Sequence, residues 1–417
     1  MRNRYSIILC VALGLLLMSC ASPTTQKSAV VTQKNTTSAG TYAFDVAFLK
    51  EHKIDVVELS DEKEKACLAI SPALQGRVLT SSANGGEGKS FGWINYKLIN
   101  SGKVSQQFNP YGGEERFWLG PEGGPFSIYF AEGKEQVFEN WRVPAAIDTE
   151  AFEIKKQSKM AIEFSKSAVL KNAAGTEFNL LINRKVRLLT SDTLESVFKV
   201  KFPKELQVVA YQSENSITNK GDKAWTKEGG LLSVWMLSMF NPSPATTVFI
   251  PYRKDGSGQI ANDDYFGKVP EDRLKSSDGF VYFKIDGKLR SKIGISPERA
   301  TELCGSYDSE QNVLTLLWSS LPPKPMPYVN SKWGKQDDPY KGDAVNSYND
   351  GPVADGSVMG PFYEIETSSP AAALAPGETM RHVQRIVHIQ GDEAKLAGLV
   401  KEIFSIDLQT IRSQFQK

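Results

Sequence analysis

Histidine is almost missing from this chain: His52, His382 and His388 are the only three in 417 residues. So few imidazoles make no zinc pattern. The four cysteines fall at positions 10, 20, 67 and 304, too scattered for a zinc pattern. Net charge is missing too. Lys and Arg total 49 against 48 Asp and Glu, a balance of +1, so no broad basic field exists to hold nucleic acid or anionic lipid. After Met18 no apolar run approaches the ~20 residues of a membrane-spanning helix. There is no phosphate loop, no dinucleotide fingerprint and no Gly-x-Ser-x-Gly. No cofactor, resident metal or nucleic-acid partner is expected. What remains is ordinary globular composition, 41% hydrophobic and 23% charged, enough to bury a large core.

The first twenty residues are the exception to that plainness. Arg2 and Arg4 precede an almost unbroken apolar run from Ile7 to Met18, which ends at Ser19-Cys20. The run is too short to span a bilayer and suits the apolar core of a signal peptide. The junction resembles a bacterial lipoprotein signal. That resemblance implies removal of residues 1–19, lipidation of Cys20 and a place in the cell envelope, at the outer membrane facing the periplasm. Membrane contact would then rest on the lipid at Cys20. Residues 20–41 are mostly Ser, Thr, Ala, Gln and Lys and read as a flexible tether. Cys67 and Cys304 each sit in an apolar stretch. Two separate buried thiols are the favoured reading, with a disulfide as the alternative.

Residues 42–417 read as one β-rich body. Phe44–Leu49 has the look of a short helix with Asp45 near its start. Short runs rich in Val, Ile, Phe and Thr then recur, broken by Gly, Pro, Asn and Asp. Strands are expected at Ile54–Leu59, Ala66–Ile70, Arg77–Ser81, Phe126–Phe130, Met160–Phe164, Phe178–Ile182, Lys185–Leu189, Leu194–Phe202 and Gln207–Ser216. More are expected at Val248–Pro251, Val281–Ile285, Leu314–Trp318, Tyr363–Thr367 and Val383–Ile389. Asp392–Phe404 is the clearest helix, with Leu396, Leu399, Val400 and Ile403 at helical spacing. No repeat and no linker divides the body. The stretch 319–360 shows little strand pattern and reads either as a functional loop or as cover for a sheet edge. Within it Asp343, Asn346, Asn349 and Asp350 supply oxygen ligands of the kind calcium takes, yet their spacing fits a turn-rich loop better.

Two constellations carry chemistry. In Gly112–Gly124, charges and aromatics alternate between glycine pairs, and a strand would put Glu114, Arg116 and Trp118 on one face. An acid, an arginine and a flat ring together suit a sugar. In Phe362–Thr367, Glu364 and Glu366 stand at i and i+2, about 7 Å apart on one strand face. Such a pair can do acid–base work if one carboxyl is desolvated. The plain alternatives are a surface hairpin and a solvated charged face.

Taken in order, several segments resemble the galactose mutarotase-like superfamily, which includes the aldose 1-epimerases. They are Ala73-Leu74-Gln75-Gly76-Arg77-Val78, then Gly113-Glu114-Glu115-Arg116-Phe117-Trp118-Leu119-Gly120-Pro121-Glu122. After these come Ile217-Thr218-Asn219-Lys220-Gly221-Asp222, Glu366-Thr367 and Leu374-Ala375-Pro376-Gly377-Glu378. The resemblance spans about residues 55–390. It implies an all-β fold, a large antiparallel β-sandwich with few short helices and a sugar site on its concave face. It implies Glu366 as base with Glu364 tuning it, and Arg116, Trp118 and Glu122 as sugar contacts, with Trp235 and Asn241 behind them. One departure matters. The family's catalytic histidine follows the Asn-Gly strand, and the matching stretch Leu231–Pro242 has none. His382 and His388 read as structural. The functional expectation is therefore an envelope lipoprotein that binds or acts on a carbohydrate, in the manner of an aldose epimerase. The alternative is a non-catalytic carbohydrate-binding lipoprotein.

Overall fold

The computed structural model describes residues 38–415. The expected signal peptide, Cys20 and most of the expected tether lie outside the described residues. The end of that tether is already held: the Gly40 carbonyl accepts the Ser90 N–H at 2.9 Å, and Thr41 bridges Lys89.

Helix α1 (Tyr42–Glu51) starts on Thr41, whose hydroxyl accepts the Phe44 N–H. Asp45 lies near its start as expected, buried in the first turn, where Ser90 and Tyr96 donate to its carboxylate. The chain then runs through β1 (Val57–Ser60), β2 (Cys67–Ser71), β3 (Arg77–Ser82), α2 (Tyr96–Ser101), β4 (Arg116–Gly120) and β5 (Glu153–Gln157). Next come β6 (Ala161–Lys171), β7 (Glu177–Leu188), α3 (Ser191–Phe198), β8 (Gln207–Asn219), β9 (Ser233–Phe240) and β10 (Thr246–Pro251). They are followed by β11 (Leu274–Ser277), β12 (Phe280–Lys284), β13 (Ser291–Ile295), β14 (Leu303–Asp308), β15 (Val313–Ser319) and β16 (Val345–Asn349). The last elements are β17 (Tyr363–Ser368), β18 (Thr379–Gln390), α4 (Glu393–Phe404) and α5 (Leu408–Ser413).

Every strand pair is antiparallel. A 3-stranded sheet runs β1-β2-β3, a 10-stranded sheet β11-β12-β10-β14-β15-β18-β8-β7-β6-β5, and a 5-stranded sheet β13-β16-β17-β9-β4. The all-β expectation, antiparallel with few short helices, matches this architecture.

Side-chain alternation explains how the sheets stack. On β7, Phe178, Leu180, Ile182, Arg184 and Val186 are buried while the residues between them are more exposed, as the two-residue strand period requires. These face the inward residues of the 5-stranded sheet, among them Phe117, Val234, Met236, Val345 and Ile365, in one core. The outer face of the long sheet is covered differently. Ala210, Phe249, Leu314, Leu316, Val387 and Ile389 pack under Leu396, Leu399 and Val400 of α4 and Leu408 and Ile411 of α5. That face accounts for the clear helical spacing at the C-terminus, where Asp392 caps α4 through the Lys395 N–H.

Phe178–Ile182 and Lys185–Leu189, expected as two strands, are one, β7, and three other expectations fail locally. Leu194–Phe202 is not a strand. Thr190 accepts the Thr193 N–H and starts α3, which Lys199 ends in the left-handed conformation. A hydroxyl cap outweighs the β preference of Val and Phe there. Phe126–Phe130 is not a strand either, because the Ser127 N–H turns back to the Gly124 carbonyl and its hydroxyl to the Glu122 carbonyl. Finally, the stretch 319–360 does contain a strand. β16 carries Asn346 and Asn349 on opposite faces of a sheet. Asp343 is engaged by Tyr265 and Asn262, and Asp350 by Tyr348 and the Gly360 N–H. Among the described residues no group of three His, Cys, Asp or Glu is placed to hold a metal, and no helix is long and apolar enough to cross a membrane.

Candidate functional site

The outward face of the 5-stranded sheet is built row by row. Arg116 on β4 pairs with Leu237 on β9, Leu237 with Glu366 on β17, Glu366 with Asn346 on β16, and Asn346 with Gly294 on β13. Residues paired in this way project to the same face. Two residues along, Met239, Glu364, Tyr348 and Lys292 form the next row on that face. Two residues the other way, Trp118 pairs with Trp235. Arg116, Trp118, Trp235, Glu364 and Glu366 therefore share one surface. Leu237 alone separates Arg116 from Glu366.

Burial makes this surface electrically tense. Glu366 is 1% exposed. Its Oε2 accepts from the Trp235 indole Nε1 at 2.8 Å and from Lys292 Nζ at 2.8 Å. Burial opposes the charge on Lys292, but Glu366 and Glu122 outweigh it and hold the ammonium above its ordinary range. Glu364 has no such cation in contact. Burial first, and the neighbouring Glu366 second, push its carboxyl up to about 8. Burial likewise raises Glu122 to about 7, although Lys292 opposes the rise. The surface thus sets Glu364, which keeps its proton near neutral pH, beside Glu366, which is ion-paired with Lys292. In such a pair one carboxyl can donate a proton and the other can accept one.

Arg116 is buried as well, and burial lowers its affinity for the proton while Glu364 supports it. Its guanidinium lies 4.0 Å from the Trp118 ring centre and 5.2 Å from that of Phe108. Among the described residues its Nε and Nη1 have no hydrogen-bond partner, and neither has Glu366 Oε1. Buried polar atoms normally find partners, so these mark a place where polar groups are held ready.

Two expected contacts need correction. Trp118 is 3% exposed, with Arg116 over its face and Tyr129, Trp141 and Trp235 around it. It offers no open ring for stacking and acts as the floor beneath Arg116. Asn241 lies beyond the end of β9, exposed, with its amide on the Gly92 carbonyl. It borders a small cavity with His388 and Tyr363, away from Glu366. Glu114 also leaves the expected face, since Ser81 and His388 contact its carboxylate inside the sandwich.

The interior holds the remaining histidines. His382 Nε2 meets the Thr367 hydroxyl at 2.8 Å, and burial lowers its pKa to about 4. His388 bridges Thr315 and Glu114. Both point between the sheets. Beside them Glu115 and Arg184 form a fully buried ion pair at 2.5 Å, with Gln384 and Ser213 also donating to Glu115. Gly113 belongs to this support. Its φ is +117°, and a Cβ there would come within 2.5 Å of the Arg77 side chain.

Sequence reasoning missed Lys292 and Tyr265. Lys292 sits in Ser291–Ile295, whose alternation around Ile293 is the only local signal of a strand. Tyr265 is in a loop, and its hydroxyl reaches Asp343 and Asn346. Lys292 Nζ lies 5.1 Å from the Trp235 ring centre and 5.4 Å from that of Tyr265. A cleft of about 1070 Å³ opens beside this point, with Tyr265 and Asp343 in its wall. Through Tyr265 it neighbours Lys292, on the β13 edge of the sheet.

A family model matches residues 40–415. The chain belongs to DUF6786, a family of unknown function. No curated protein matches it by sequence. Among solved structures, this DUF6786 chain is similar to a candidate aldose 1-epimerase from Escherichia coli K12, with 10% identity and a TM-score of 0.47, covering 81% of this chain and 99% of the other. It is similar to a galactose mutarotase-like protein from Lactobacillus casei, with 11% identity and a TM-score of 0.45, covering 80% and 100%. It is also similar to the Slr1438 protein from Synechocystis, with 12% identity and a TM-score of 0.49, covering 81% and 96%.

Proposed function

We propose that this DUF6786 protein binds a carbohydrate on the outward face of its 5-stranded sheet, and that Glu364 and Glu366 exchange protons with the bound sugar. One observation carries the reading. Arg116, Glu364 and Glu366, from strands far apart in sequence, converge buried on one face with polar atoms left without protein partners. Hydroxyl-rich ligands supply many donors and acceptors for such groups. Glu366 is the base, Glu364 the acid, and Lys292 is the cation paired with Glu366. The order of the mutarotase-like motifs in the sequence supports the same class of ligand.

The test is binding and turnover on a panel of aldoses, with Glu366→Gln as the variant. Losing one charged hydrogen bond weakens binding by ~1.5–3 kcal/mol. Losing a general base lowers turnover by ~10²–10⁴-fold. Full turnover in Glu366→Gln would refute the catalytic role. The non-catalytic alternative is favoured by one specific feature: both sandwich histidines point inward, so neither joins Glu366. Binding without turnover in the unaltered protein would establish it.

We also propose an envelope lipoprotein anchored through Cys20. Its support is the basic start, the apolar run and the Ser19-Cys20 junction. Cys20→Ala should move the protein from the membrane to the soluble fraction. An unchanged distribution would refute the anchor.

A further inference from the structure

The cleft beside Tyr265 and Asp343 adds something that a site for a single sugar does not need. At about 1070 Å³ it exceeds the usual span of small-molecule pockets, ~300–1,000 Å³. It is an open trough rather than a closed chamber. Its wall mixes polar and apolar groups: the amides of Gln259, Asn262, Asn330 and Gln336, the rings of Tyr265 and Tyr340, and an apolar strip at Pro325–Pro327. Four lysines and five acids line it, so the wall has no dominant sign. A polyanion would need an excess of Lys and Arg. Neutral hydroxyl groups facing amides, carboxylates and aromatic rings fit this wall without one.

The trough approaches the carboxylate surface at Tyr265 and Asp343, which line its wall. The row that begins at Arg116 and passes Glu366 ends at Asn346 and Gly294. At that end Gly294 has no side chain, and the Asp343 carboxylate and the Asn346 amide fill the space a Cβ would take. Asp343 accepts the Tyr265 hydroxyl and the Asn262 amide at the cleft wall. Tyr265 therefore stands where the two meet. One side of its ring lies near Lys292, which holds Glu366, and its neighbours open on the trough.

We propose that the ligand is a neutral oligosaccharide or glycan chain, with its terminal unit at Glu364 and Glu366 and the following units along the trough. This rests on the carbohydrate reading above and specifies its substrate class. Tyr340 supplies a ring to the trough wall, fixed by its hydroxyl on the Lys227 carbonyl and by Phe126 beside it, with centres 6.1 Å apart. Gln259 is exposed and makes no side-chain hydrogen bond to the described residues. Both are contacts for the added units rather than for the terminal one.

The test is calorimetric titration of the full chain in detergent with malto-, cello-, xylo- and chito-oligosaccharides of one to six units. In at least one series the affinity should rise by about tenfold or more between one and four units. Tyr340→Ala and Gln259→Ala should remove most of that gain and leave monosaccharide affinity unchanged. Thermal melting of each variant separates lost contacts from lost folding, and Gln259→Ala touches nothing that holds the fold. If a monosaccharide binds and affinity is flat with chain length, the glycan inference fails while the carbohydrate reading stands. If length dependence is intact in both variants, the trough is not the site of the added units and the inference fails. If no saccharide of any length binds, the carbohydrate reading itself fails and the inference with it.

Discussion

Replacing Glu364 with Gln should change how stability depends on pH, and the sign follows from the site. In the unfolded chain this carboxyl titrates near its ordinary 4.5, and in the folded protein near 8. Between those values the native state holds a proton that the unfolded state has lost. Stability therefore falls as pH rises through this window, and the penalty is complete above the folded value. Each pH unit of separation is worth about 1.4 kcal/mol, so the full effect is on the order of 5 kcal/mol. Gln keeps the shape and stays neutral, so Glu364→Gln should match the parent near pH 4 and exceed it above pH 8. Glu122, raised to about 7 by burial, leaves the variant a shallower slope of the same sign. Urea unfolding at half-unit steps from pH 4 to 9 measures both curves. A carboxylic-acid carbonyl band in infrared difference spectra, lost in the variant, would report the proton directly. Parallel curves for parent and variant would refute a neutral Glu364, and with it the assignment of donor and acceptor on β17.

Two further outcomes follow from the interior. Arg184→Met should destabilise the fold by about 3–5 kcal/mol, because it strands the Glu115 charge between the sheets; adding Glu115→Leu should recover most of the loss, and urea unfolding of both variants checks this. Cys67 and Cys304 are buried free thiols, raised by burial to about 11 and 12, so neither should react with a thiol reagent in the native protein at pH 8, and both should react at once after unfolding in denaturant.

Some of this molecule was legible locally and some was not. Strand period is a local property, so Glu364 and Glu366 could be put on one face from the sequence of β17 alone. The same holds for the helical spacing of α4, where a cap and four apolar residues lie within one stretch. Where two local preferences compete, the reading fails: Leu194–Phe202 carries β-forming residues, but the Thr190 cap and a sheet face needing cover made part of it helix. The free thiols were legible from their apolar neighbours.

Which strands become neighbours is not local. Lys292 reaches Glu366 across 74 residues and Trp235 reaches it across 131. Only the order β13-β16-β17-β9-β4 brings them together. Composition showed an arginine beside an aromatic ring, but not that Trp118 would be roofed by Arg116 and walled by Tyr129 and Trp141. Whether a ring is a platform or a floor depends on what other segments place above it. The sequence by itself determined the antiparallel β class and the paired carboxylates, because alternation and turn residues act within a few positions. The tertiary structure alone decided which carboxyl keeps its proton, because that depends on desolvation and on cations brought from distant strands.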